Sequence, residues 1–74
     1  MQPLFSTELV IHHQPVLYHV VFENEQYQFQ PQDRQYQTFG FTRKHDEWHE
    51  QGDIEPSLKG QAIAKLEAYL LAQL

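Results

Sequence analysis

Residues 16–31 read VLYHVVFENEQYQFQP, and this stretch decides the fold of the chain. Apolar and polar residues alternate on both sides of Asn24 and Glu25, which is typical of two half-buried antiparallel strands joined by a tight turn. A turn at these two residues sets Phe22 opposite Tyr27, so the aromatic side chains of both strands share a face. The sequence therefore predicts a β-hairpin with one aromatic face and one face rich in glutamine.

The same alternation continues upstream and predicts a first strand over residues 4–12, followed by the second strand over 16–23. We expect residues 12–15, His-His-Gln-Pro, to form a four-residue loop, because a two-residue turn would put Pro15 at a disfavoured position. Any loop of even length sets odd positions of the first strand beside even positions of the second. Leu9 and Ile11 of the first strand then share the aromatic face with Tyr18, Val20 and Phe22 of the second.

Downstream, the pattern predicts a third strand over 26–31 and a fourth over 37–44, with a β-bulge at Gly40. A turn at Asp46-Glu47 would fold residues 48–51 back as a short fifth strand. The sequence is compatible with four strands or with five.

The period changes from two to 3.6 near residue 53, which predicts a helix over about 55–73. Asp53 is a good N-cap, and Pro56 is tolerated only in the first turn. We expect Gly60 to permit a close approach of the helix to a strand. An apolar stripe recurs at every fourth position: Leu58, Ala62, Leu66, Leu70 and Leu74.

Together these patterns predict one domain over residues 1–74 in the α+β class. Its two layers are an antiparallel β-meander of four or five strands and a single C-terminal α-helix that covers one face of the sheet.

The charge and composition exclude several classes of function. Ten acidic and five basic residues give a formal charge of −5, and the basic residues are scattered. Binding to nucleic acid requires clustered cations, and so does binding to an anionic membrane, so we expect neither partner. The chain has no cysteine, which fits a reducing compartment. Its first residues lack the pattern of a signal peptide, and we expect a cytoplasmic protein.

The segments FENEQYQFQP, DEWHEQGDIEP and GQAIAKLEAYLLAQL carry a resemblance that extends over most of the chain. They resemble small proteins of Bacteroidetes-type bacteria that combine strands, a late tryptophan and a closing helix. That group has no assigned activity, so the resemblance implies a fold and no functional residue.

The histidines are the only candidate metal ligands. His45 and His49 are four residues apart. On a helix this spacing would put both imidazoles on one face, where they could bind the same metal ion. On a strand it separates them by ~13 Å, which is too far for one metal. His12 and His19 could meet across the first hairpin. We predict no metal site, and we keep His45 and His49 as the weak candidates.

No motif for catalysis or for a cofactor is found. There is no glycine-rich phosphate loop and no nucleophile elbow, and Ser6 has no activating neighbour in the sequence. We therefore expect no catalytic residue and no cofactor. The predicted function is a non-catalytic protein-interaction or small structural module; the alternative is a domain that binds a small ligand or a metal through its histidines.

The second predicted strand is apolar on both sides, although a single helix can cover only one face of the sheet. Leu17 and Val21 fall on the uncovered side, where the predicted register adds Val10 of the first strand. His19 belongs to the same side. This patch is either tolerated exposure, which is common on protein surfaces, or a contact surface. Val10, Leu17, His19 and Val21 are thus a candidate contact surface for a second copy of the chain or for a different protein.

Overall fold

The structure is a computed structural model that describes residues 1–74. Five strands precede one helix: β1 (Gln2–Ile11), β2 (Gln14–Glu23), β3 (Gln26–Pro31), β4 (Phe39–Lys44), β5 (Glu47–Gln51) and α1 (Pro56–Ala72). All neighbouring strands pair antiparallel in the order of the sequence. The predicted α+β class, an antiparallel meander with one C-terminal helix, is confirmed, and the meander has five strands.

Three of the strand connections are two-residue turns in which both residues have positive φ. They are His12-His13, Asn24-Glu25 and His45-Asp46, with φ between 51 and 64°. Positive φ at both central positions is the conformation of type I′ turns, whose twist matches that of the strands they join. The predicted turn at Asn24-Glu25 is confirmed, since Phe22 pairs with Tyr27.

The predicted four-residue loop in the first hairpin is wrong, because β2 already begins at Gln14. Pro15 lies in the strand opposite Val10. Proline has no backbone N–H to donate to a partner strand. This costs nothing at Val10, because the backbone N–H and C=O of Val10 both bond to the Gln61 side chain. The predicted parity is confirmed, since Leu9 pairs with Val16.

The last turn lies one residue earlier than predicted, at His45-Asp46. With the turn at these residues, Trp48 pairs with Arg43. Trp48 is therefore in the second residue pair from the turn, and not in the first as the predicted turn would have placed it. Its ring centroid lies 5.5 Å from that of Tyr27 and 6.4 Å from that of Phe41, edge to face in both cases. The Trp48 N–H is buried and has no hydrogen-bond acceptor, and an edge-to-face aromatic neighbour is the partner such a group can use.

The core lies between α1 and the aromatic face of the sheet. Its buried members are Leu9, Val16, Tyr18, Val20, Phe29, Phe39, Phe41, Leu58, Ala62 and Leu66. The Phe29 ring stacks on that of Phe39 at 4.9 Å, and Phe41 meets both rings edge on. Three helix residues spaced by four thus cover rings from two neighbouring strands.

Three details of the sequence prediction are corrected. The N-cap of α1 is Glu55, without a side-chain cap bond, and not the predicted Asp53, whose backbone carbonyl accepts a bond from Gln37 Nε2. Gly60 has no other group within 4 Å of its side-chain position, so it permits no close approach. Gly40 pairs regularly with Gln28, and a Cβ there would lie 3.3 Å from a β3 carbonyl.

The only irregularity in register lies in β1, between residues 3 and 5. The glycine in β4 therefore marks a tight strand contact and not the predicted bulge.

Residues of α1 reach both edges of the sheet. Gln61 Oε1 accepts the Val10 N–H at 2.7 Å, and Gln61 Nε2 donates to the Val10 carbonyl at 2.9 Å. On the opposite edge, Lys59 Nζ lies 3.1 Å from Glu50 Oε1 of β5. One helix therefore contacts both edge strands of the sheet, β1 and β5, within its first two turns.

Replacing Leu66 with alanine should lower the free energy of unfolding by about 2–5 kcal/mol, because the side chain is fully buried beneath the sheet. Chemical denaturation measures the change. Leu71→Ala is the matched control: Leu71 is 71% exposed, and its loss should change stability by less than about 0.5 kcal/mol. Equal effects of the two substitutions would contradict the helix-on-sheet packing.

Gln61→Leu should speed hydrogen exchange at the Val10 amide, because that amide loses its only acceptor while the side chain keeps its size. Stability should fall by about 1 kcal/mol. Glu67→Leu, at another exposed position of α1, serves as the control and should leave the Val10 amide protected. Unchanged exchange at Val10 in Gln61→Leu would show that the amide contact does not hold in solution.

Candidate functional site

The predicted contact surface lies on the outer face of the β1–β2 hairpin, away from α1. Val10 is 54% exposed and Leu17 is 36% exposed. His19, two residues beyond Leu17 on the same strand, is exposed as well. Three of the four predicted residues are thus accessible on one side of the sheet.

Val21 is the exception, because it is only 6% exposed. It lies between Pro3 of β1 and Gln28 of β3 in the register of the sheet. The side chains of an antiparallel sheet shield their cross-strand neighbours, and a central position is shielded from both sides. Val21 therefore offers almost no surface to a partner, and the accessible surface is narrower than predicted.

A depression of about 350 Å³ lies beside Leu17. Its lining residues are Pro15, Val16, Leu17, Gln32, Asp33 and Tyr36. One wall is the start of β2, and the other is the connection between β3 and β4. The Gln32 N–H donates to the Leu17 carbonyl at 2.9 Å, which fixes the two walls against each other.

The connection between β3 and β4, residues 32–38, is held in place by hydrogen bonds at both ends. The Asp33 carboxylate accepts bonds from the backbone and the side chain of Gln35, and the Asp33 carbonyl accepts the Tyr36 N–H at 3.2 Å. The Tyr18 hydroxyl donates to the Gln37 carbonyl at 2.8 Å. Tyr36 packs against the core. These bonds join the wall of the depression to β2 and to the core.

A second and more polar depression, of about 560 Å³, adjoins the first. Its lining residues are His19, Gln30, Pro31, Gln32, Arg34, Tyr36 and Thr38. It shares Gln32 and Tyr36 with the Leu17 depression. The sequence prediction found His19 but missed Arg34 and Tyr36, because residues between two strands give no periodic pattern.

Ser6 and His19 form a hydrogen-bonded pair that the sequence prediction also missed. Ser6 Oγ lies 2.8 Å from His19 Nδ1 across the β1–β2 ladder. The two-residue turn at His12-His13 brings them together, whereas the predicted longer loop would have set His19 opposite Glu8. Correct recognition of the turn type would have found the pair.

The Ser6–His19 pair has one feature of a nucleophilic site, a hydroxyl bonded to an imidazole. Such sites also need a group that orients the base and donors for a developing oxyanion. The only side-chain hydrogen bond of His19 is the one to Ser6. The pair therefore orients the imidazole on the sheet surface.

The remaining histidines are dispersed. His45 lies in the last turn and His49 pairs with Thr42 in β5. His12 lies in the first turn, and the residue opposite His19 is Ser6, so the expected proximity of His12 and His19 is wrong. No group of three or more His, Asp and Glu side chains is arranged to hold a metal ion.

Tyr18 connects the core to this region. Burial raises the pKa of the Tyr18 phenol above its ordinary value, and the neighbouring Tyr36 phenolate raises it further. The hydroxyl therefore stays protonated at neutral pH and remains a donor to the Gln37 carbonyl. This bond keeps the far end of the connection between β3 and β4 on the core.

No protein family, curated protein or solved structure was found to match this chain. The structure contains no helix whose length and apolar character would let it cross a lipid bilayer. Its functional interpretation rests on the geometry of the two adjoining depressions.

The stability of the fold should decline as Tyr18 ionises. A group whose pKa is raised by folding contributes stability below its unfolded-state pKa, near 10, and loses it as the pH rises through the folded-state value. Denaturation of the wild type and of Tyr18→Phe across pH 8–12, a range of roughly two pH units on either side of an ordinary tyrosine pKa, measures this contribution.

Tyr18→Phe should lack part of the alkaline decline, while the control Tyr69→Phe should retain the whole of it. An identical decline in the wild type and in Tyr18→Phe would show that Tyr18 does not link pH to folding.

Proposed function

We propose that this chain is a non-catalytic protein-interaction module that binds its partner at the Leu17 depression and the adjoining outer face of the β1–β2 hairpin. The observation that carries the proposal is the exposure of Val10 and Leu17 beside a concave wall that hydrogen bonds join to β2. An apolar surface on a sheet face that the fold itself leaves bare is typical of an interaction site.

The shape of the depression favours a different protein over a second copy. A two-fold symmetric contact centred on the depression would bring the same hollow on both copies face to face, which leaves the space between them unfilled. The exposed apolar residues outside this surface are Met1, Leu71 and Leu74, and none of them lines the depression. The occupant that fits is a protruding apolar side chain of a partner.

Charge and composition support a protein partner in the cytoplasm. The five basic residues are scattered except for Arg43-Lys44, which gives little surface to a phosphate backbone. A chain without cysteine is suited to a reducing compartment. The rival function, a metal-binding domain, would need ligands closer together than the dispersed histidines.

Leu17→Lys should abolish capture of the partner, because it places a charge at the rim of the apolar depression. The tagged wild type, Leu17→Lys and the control Leu71→Lys would be compared in affinity purification from the native cell. A protein retained by the wild type and by Leu71→Lys, but lost from Leu17→Lys, supports the proposal.

Capture that is insensitive to Leu17→Lys would contradict the proposal. Light scattering of the purified chain over a concentration series tests whether a second copy of the chain occupies the depression. A dimer that Leu17→Lys dissociates would show that a second copy fills the depression, against the argument from shape.

A further inference from the structure

We infer that the two adjoining depressions form one composite groove, which binds a segment carrying an apolar side chain and a carboxylate about one residue apart. The apolar side chain enters the Leu17 depression, and the carboxylate is bound in the neighbouring one by Arg34 and His19. This inference rests on the proposed function and specifies the chemistry of the partner.

Arg34 is a cation without a partner in the fold. The structure has a single ion pair, Lys59 with Glu50, and Arg34 takes part in none of the side-chain hydrogen bonds. No ion pair joins it to its sequence neighbour Asp33, whose two carboxylate oxygens accept bonds from Gln35. A guanidinium has five donors in a planar fork that suits a carboxylate, and those of Arg34 are free.

His19 adds a second donor to the same depression. Ser6 Oγ lies 2.8 Å from Nδ1. In the tautomer that carries the ring proton on Nε2, the hydroxyl donates to Nδ1 and the Nε2–H is left for a ligand. A neutral imidazole in this tautomer can donate to an anion. The Ser6–His19 pair thus acts as a positioning contact that prepares the ring for a ligand.

The geometry joins the two binding elements. Leu17 and His19 are two residues apart on one face of β2, a separation of ~7 Å. Gln32 and Tyr36 line both depressions, so no other element separates them. An apolar side chain followed by the carboxylate of the next residue spans a similar distance.

The test uses two small probes, N-acetyl-leucyl-glycine and its C-terminal amide, which differ only in the carboxylate. Binding to the isotope-labelled chain at neutral pH is followed by amide chemical shifts. The carboxylate probe should bind about ten-fold tighter or more than the amide, as expected for hydrogen bonds to a charged group. The shifts should include Leu17, His19, Gln32 and Arg34.

Arg34→Gln should remove the preference for the carboxylate, whereas the control Arg43→Gln should preserve it. Leu17→Ala should weaken both probes alike. Equal affinity for the two probes, no binding of either probe, or a preference that survives Arg34→Gln would overturn the inference. A partner that is captured through Leu17, although the probes show no preference for the carboxylate, would support the proposed function and contradict only the carboxylate site at Arg34 and His19.

Discussion

The contact between one stripe of α1 and the aromatic face of the sheet is the constraint on which the rest of the structure depends. Leu58, Ala62 and Leu66 are the buried residues of the helix, and Ala62 is fully buried at the centre of the stripe. Ala62 belongs to the same buried cluster as Phe29 and Phe39. A chain of this length has no other core, so strand register and sheet curvature must both serve this contact.

The same contact determines which face of the sheet is available for binding. One helix covers one face of the sheet, and its side chains extend to β1 and β5 through Gln61 and Lys59. The outer face is left to the strands, which cover it mainly with glutamine, glutamate and histidine. The exposed apolar residues of the β1–β2 hairpin depart from this composition, and they lie beside the one ordered connection that forms a wall.

The sequence was sufficient to predict the first four strands, their pairing order, the aromatic face and the helix, because each depends on a periodicity that burial imposes, whereas the fifth strand was left open. It was insufficient for the turns. Glutamate at position 25 and histidine at 12 and 13 adopt positive φ, although none of them is glycine. The strand pairing imposes this conformation on them, and local preference alone does not reveal it. The misplacement of Pro15 has the same origin.

The candidate site was only partly predictable for related reasons. Val10, Leu17 and His19 follow from strand parity, whereas the burial of Val21 depends on neighbours in two strands. The Ser6–His19 pair depends on a register that changes with turn length. Arg34 and Tyr36 belong to a connection whose shape is determined by single hydrogen bonds, such as that from Tyr18 to the Gln37 carbonyl, and those bonds leave no pattern in the sequence.

The contact between Gln61 and Val10 has a further consequence for the life of the protein in a crowded cell. An edge strand offers unpaired backbone groups to any other extended chain, and uncontrolled pairing of this kind leads to fibrous aggregates. By presenting one amide oxygen and one amide nitrogen, Gln61 occupies these groups at Val10 as a sixth strand would. Because the helix supplies this substitute strand, partial undocking of α1 would uncover the hydrophobic core and a polymerisation-competent edge at the same moment.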